Sequence, residues 1–89
     1  MENNIIEIEK RRRINVCLWA YAYEVKDNPL VTDEVFDEQC QLVDISVNTD
    51  NPTLDEWFKK EFKPYTGQWI HTHPEIDKLN LLYNRVSRL

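Results

Sequence analysis

A helical stretch that stops at Asn28-Pro29 and a second that begins after Thr32 limit what this chain can become. Proline has no N–H and pushes the residue before it out of the α region, so the first helix has to end there. Thr32 then offers a hydroxyl to an orphan N–H of the next helix, while Asp33 and Glu34 face the positive end of its dipole. Upstream, Ile14, Leu18, Tyr21, Ala22 and Val25 recur at three- and four-residue spacing, one apolar stripe on a helix predicted from Ile5 to Lys26. Downstream, Phe36, Cys40 and Val43 share a face of a helix predicted from Asp33 to Ile45. Two helices joined by so short a loop usually pack antiparallel, so residues 5–45 are expected to form a helical hairpin.

The turn formers of Asn48-Thr-Asp-Asn-Pro52 make residues 46–52 a loop. Thr53-Leu-Asp-Glu56 reads as a capping box opening a third helix over 53–63, with Leu54, Trp57, Phe58, Phe62 and Tyr65 at helical spacing, an aromatic stripe that reads as core or partner-docking surface before ligand platform. A fourth helix is predicted over 74–88, with Pro74 in its first turn, Glu75 in a second capping box, and Ile76, Leu79, Leu82, Tyr83, Val86 and Leu89 on its buried side. Trp69-Ile70 is too short to be a strand. The expected fold is one small all-α domain of four helices built on the antiparallel hairpin.

Composition removes several function classes. At 89 residues the chain can bury only a modest core. Its single glycine, Gly67, argues against a phosphate-cradling loop. No apolar run approaches the ~20 residues of a membrane span, and no signal-like segment follows the Lys10 to Arg13 run, so a cytoplasmic location and no membrane contact are expected. Those four basic residues lie just downstream of Glu2, Glu7 and Glu9 and read as a solvated helix face. Cys17 and Cys40 read as buried, reduced thiols.

The hairpin corner carries the informative chemistry. Tyr23, Asp33, Phe36 and Asp37 gather aromatic rings and carboxylates around one turn, which suits a flat cation or a basic side chain. The string from Tyr23 through Asp27-Asn-Pro29 and Thr32-Asp33 to Phe36-Asp37 resembles the N-terminal helical subdomain of NAD-dependent bacterial DNA ligases, with a second echo in His73-Pro74-Glu75. About a third of the chain is covered, and residues 44–72 have no counterpart. The resemblance implies a non-catalytic module that binds the nicotinamide mononucleotide (NMN) half of NAD, alone or beside a separate catalytic chain. Tyr23 and Phe36 would stack on the ring, and Asp33 and Asp37 would hold its charge or the ribose hydroxyls. Phe36 stands where the family has tyrosine, keeping a stacking face without the hydroxyl. Glu24 stands where the family has tyrosine or histidine, and its charge would repel a phosphate.

Two catalytic motifs fail on inspection. Ile70-His71-Thr72-His73-Pro74 matches the His-x-His-Pro of metallohydrolases, but Arg85 stands where the third ligand should be, so no metal site is expected. Adenylyl transfer needs a lysine in a Lys-x-Asp-Gly setting, which is absent, so no enzyme activity is expected. Formal net charge is −5, yet Glu24 to Glu56 holds ten acidic residues and one base, which is −9 and leaves +4 for the remainder. That field disfavours direct nucleic-acid binding and favours a basic protein partner, for which Glu34, Glu38, Asp44 and Trp57 are the candidate contacts. Small acidic helical proteins of phage or plasmid origin, some of them DNA mimics, act as inhibitors in this way, which makes an inhibitor the alternative to the nucleotide-binding module.

Overall fold

The computed structural model describes residues 2–87, with side chains from Asn4 onward. Its elements are α1 (Glu2–Glu24), α2 (Asp33–Leu42), α3 (Pro52–Glu61), a 3-10 turn (Gln68–Thr72) and α4 (Ile76–Ser87), and no strand occurs among the described residues. The chain is all-α, as expected. Leu89, assigned above to the buried side of α4, lies outside the described residues.

α1 is the element on which the others pack. Val16, Cys17, Leu18, Ala20, Tyr21 and Ala22 are all buried, so this half of the helix is covered on most of its circumference. Ile14 and Val25, placed on the apolar stripe by spacing, are instead exposed. The buried stripe runs through Glu9, Arg13, Val16, Cys17 and Ala20, and its first two members are charged. α1 ends as Asp27 enters the left-handed region at φ 51° and the Asn28 N–H closes onto the Ala22 carbonyl at 2.9 Å. The left-handed residue turns the chain off the helix axis, with aspartate tolerated where glycine is commoner.

α2 starts on Thr32, whose hydroxyl accepts the Val35 N–H. Its far end meets the early part of α1, where Arg12 donates to the Leu42 carbonyl, while Phe36 near its start lies over Ala20 and Gly67. α2 therefore runs antiparallel to α1, and the hairpin is observed. It is shorter than predicted, because the chain leaves the helix at Val43 to enter the loop that Arg13 holds.

α3 differs from expectation at its start. Asn51, not Thr53, is the cap, accepting the Leu54 N–H at 3.2 Å, with Pro52 at the first helical position. Thr53 and Glu56 are exposed, and Asp55 is drawn inward. The start of α4 also differs. Glu75 precedes the helix and donates its N–H to His73 Nδ1 at 2.9 Å, so an imidazole occupies the role given above to a capping box.

Two clusters join these helices. One is aromatic: the Trp57 ring meets Phe58, Trp69 and His73 at 5.0, 5.7 and 4.7 Å between centroids, and Phe62 packs on Trp69 at 5.0 Å. The two indole N–H groups in it are satisfied, Trp57 by Thr72 Oγ1 and Trp69 by the Thr66 carbonyl.

The other cluster is ionic and buried. Arg13 Nε donates to Glu9 Oε2 at 2.7 Å and Nη1 to Asp55 Oδ1 at 2.8 Å, while Nη2 reaches the carbonyls of Asp44 and Val47. Asp55 also accepts from the Thr49 N–H and hydroxyl, and Glu9 accepts the Asp44 N–H. Every nitrogen of the guanidinium is used, and its flat face lies 5.0 Å from the centre of the Phe58 ring. Arg13 is thus a core residue rather than part of the solvated face suggested by the basic run. A buried arginine of this kind persists because its charge is matched and four of its five N–H donors are hydrogen-bonded.

Candidate functional cleft

The corner between α1 and α2 opens into a cleft of about 300 Å³. Trp19, Ala20, Tyr23 and Glu24 form the α1 wall, Asp33 and Phe36 the α2 wall, and Tyr65 to Gly67 close the third side, with the Pro29 to Val31 turn beneath. Three of the four residues singled out from sequence, Tyr23, Asp33 and Phe36, are therefore brought together. Asp37 is exposed and lies outside the lining, one helical turn beyond Asp33 on the same face.

Each wall follows from local sequence. Trp19 and Tyr23 are four residues apart on α1 and so share one face. Asp33 and Phe36 are three apart in the first turn of α2, so the Thr32 cap that starts the helix also orients them. On the third side a Cβ at Gly67 would meet Ala20 Cβ at 3.4 Å and the Phe36 ring at 3.6 Å, ordinary van der Waals distances. Its φ of −104° is open to any residue, so neither space nor backbone reserves the position for glycine.

The lining contains four aromatic rings, two carboxylates and no lysine, arginine or histidine. Tyr23 and Tyr65 are 54% and 77% exposed, which leaves ring faces at the mouth for a ligand to cover. Glu24 Oε1 contacts the exposed His71 Nε2 at 3.4 Å from outside the cleft. Such a lining attracts a planar cation through ring faces and carboxylates together, and repels phosphate. Trp19 was not anticipated as a site residue, and Tyr65, placed by spacing on the stripe of the third helix, instead lies beyond the end of α3 with its ring exposed at the cleft. The four-residue spacing of Trp19 from Tyr23 was a usable signal, whereas no local pattern connects Tyr65 to α1.

The four residues proposed for a protein partner separate in the structure. Glu34 and Glu38 are exposed on α2. Asp44 is exposed, but its carboxylate is turned to the Ser46 N–H and hydroxyl, and these hydrogen bonds hold it below the usual carboxylate range. Trp57 is a correction: only 9% exposed and at the centre of the aromatic cluster, it offers no surface to a partner.

Both cysteines belong to the core. Burial raises both thiols, Cys40 to about 12 with Asp37 adding to the effect, and Cys17 further, so both stay protonated at neutral pH. His71 and His73 point to different neighbours, Glu24 and Trp57. Among the described residues no group of three or more His, Cys, Asp or Glu is placed to hold a metal. A second groove of about 330 Å³ lies along α1, α3 and α4 with Ile14, Leu54, Leu79 and Leu82 in its walls. The lysines at its rim, Lys10 and Lys78, are each paired with a glutamate, Glu7 and Glu75. No helix among the described residues is long and apolar enough to cross a membrane. No protein-family model, curated protein or solved structure matches this chain.

Proposed function

We propose that the chain is a non-catalytic binding module whose cleft takes a flat cationic ring, with the nicotinamide ring of NMN or NAD as the candidate ligand. The observation that carries this reading is the convergence of Tyr23, Phe36 and Asp33, chosen from sequence, on one cleft without a basic residue. The ring slides between the aromatic faces, and Asp33 and Glu24 balance its charge. A phosphate on the same ligand is directed outward, because those carboxylates oppose its entry. The cleft is at the lower end of the ~300–1,000 Å³ usual for small-ligand sites, enough for a ring and little more.

Titration with 1-methylnicotinamide, NMN and NAD, followed by tryptophan and tyrosine fluorescence, tests this. Saturable quenching by all three is expected, with the phosphate-free cation bound most tightly and with loss of binding in Tyr23→Ala and Asp33→Asn. Absence of binding at millimolar ligand overturns it.

A further inference from the structure

The cleft does not end at its own walls. Asp33 is in the cleft, Asp37 follows one turn later on the same face of α2, and Glu34 and Glu38 lie on the adjoining face. All four are exposed, and among the described residues none of them forms a salt bridge. The exposed Glu7 and the partly exposed Glu75 each pair with a lysine on their own segment, while Asp50, Glu56 and Asp77 are, like the row, in no salt bridge among the described residues. What sets the row apart is that it continues from the cleft. A lone ring cation would engage the cleft and leave this row of unmatched carboxylates without a partner.

We propose that the cleft is an anchor pocket for an arginine side chain on a basic segment of a partner protein, with Asp37 receiving the next basic side chain of that segment. The proposal rests on the reading of the cleft as a flat-cation site. Guanidinium is the planar cation of proteins: it stacks on aromatic faces and carries five in-plane N–H donors that match carboxylates. Trp19, Tyr23 and Phe36 supply the faces, and Asp33 and Glu24 supply acceptors from opposite walls. A pyridinium ring uses the same faces but brings no such fork of donors.

Spacing gives the segment a signature. Residues four apart on a helix have Cβ atoms about 5–6 Å apart, so Asp33 and Asp37 present two carboxylates at roughly that separation. An extended peptide advances about 3.3 Å per residue, so side chains two residues apart match it. The segment is therefore Arg-x-Lys or Arg-x-Arg in extended form, with the arginine in the cleft.

Calorimetric titration with the acetylated, amidated peptide Gly-Arg-Gly-Lys-Gly, and with the same peptide carrying citrulline for arginine, tests this beside 1-methylnicotinamide. Citrulline keeps the shape and loses the charge, and binding is expected to fall at least about tenfold. Asp37→Asn is expected to weaken the arginine peptide about threefold or more and 1-methylnicotinamide by clearly less, since Asp37 is outside the lining and reaches a ring cation only through its field. Tyr23→Ala, at a side chain more than half exposed, is expected to fold normally and weaken both ligands. Equal binding of the citrulline peptide, or no response to Asp37→Asn, overturns the arginine anchor. Binding of the peptide without binding of 1-methylnicotinamide supports the anchor and overturns the nicotinamide reading, and failure of both ligands overturns both.

Discussion

Replacing Arg13 by alanine leaves Asp55 buried without a counter-charge and Glu9 with only the longer contact to Arg12 at 3.4 Å, close to the situation in which ion-pair loss is most costly. A destabilisation of about 3–5 kcal/mol is expected, measured by urea unfolding against the native chain. Arg13→Lys keeps the charge but not the fork that reaches Glu9, Asp55 and two carbonyls at once, so it should recover only part of the loss. Asp55 adds an acid dependence. Burial alone would raise its carboxyl, but the two hydrogen bonds from Thr49 and the Arg13 guanidinium outweigh this and hold it below the usual range. Its contribution is present above the unfolded pKa near 4 and is lost as pH falls through the lower folded value. His73 acts in a higher window. Burial lowers its pKa against the opposing charge of Glu75, so the unfolded chain takes up a proton first as pH falls below about 6.5. Protonation also removes the Nδ1 acceptor that holds the Glu75 N–H. Between pH 7.5 and 5.5 the unfolding free energy measured in urea should therefore decline, with a slope from this group no steeper than about 1.4 kcal/mol per pH unit, and His73→Asn should flatten the decline.

At the scale of elements, the two candidate caps of α3 can be separated by substitution. Asn51→Ala is expected to cost about 1 kcal/mol in chemical denaturation, while Thr53→Ala, at an exposed side chain, should change little. Both residues are good caps and both flank Pro52. The preference of proline for the first helical position was the signal that favours Asn51. The Thr32 cap and the stop before Pro29 were legible because each is set by one residue and its neighbours. Arg13 was not, because a basic run looks the same whether its fourth member faces water or meets Asp55 42 positions later. The 3-10 turn was missed for a related reason. Trp69 and Ile70 are buried by contacts with distant helices, and five residues are too few to show a period. In the cleft, the residues contributed by the α1–α2 corner were readable, whereas Tyr65 reaches it only through tertiary packing.

For the whole molecule, the helices share one core, since α1 touches α2, the 3-10 turn and α4, and Arg13 ties it to α3. The Cα radius of gyration of 12.5 Å is close to the ~12 Å expected of a folded chain of this length. Far-UV circular dichroism and tryptophan fluorescence are therefore expected to report one coincident unfolding transition in urea, because the indoles of the aromatic cluster and the helices beneath them lose their packing together. Separate midpoints would show that the hairpin and the α3–α4 half unfold independently.

The reach of Arg13 also bears on how the chain is made. During synthesis the hairpin emerges before Asp55, and until α3 is available the Arg13 guanidinium lacks its second carboxylate and the ring of Phe58 beneath it. A nascent chain ending near Leu42 would keep that side chain in water, so α1 could dock on α2 without sealing its polar end. Closure of this end of the core is thereby deferred until the loop has passed and Asp55 has joined Thr49 and Arg13. This couples one step of folding, ahead of the packing of the 3-10 turn and α4, to the arrival of one aspartate.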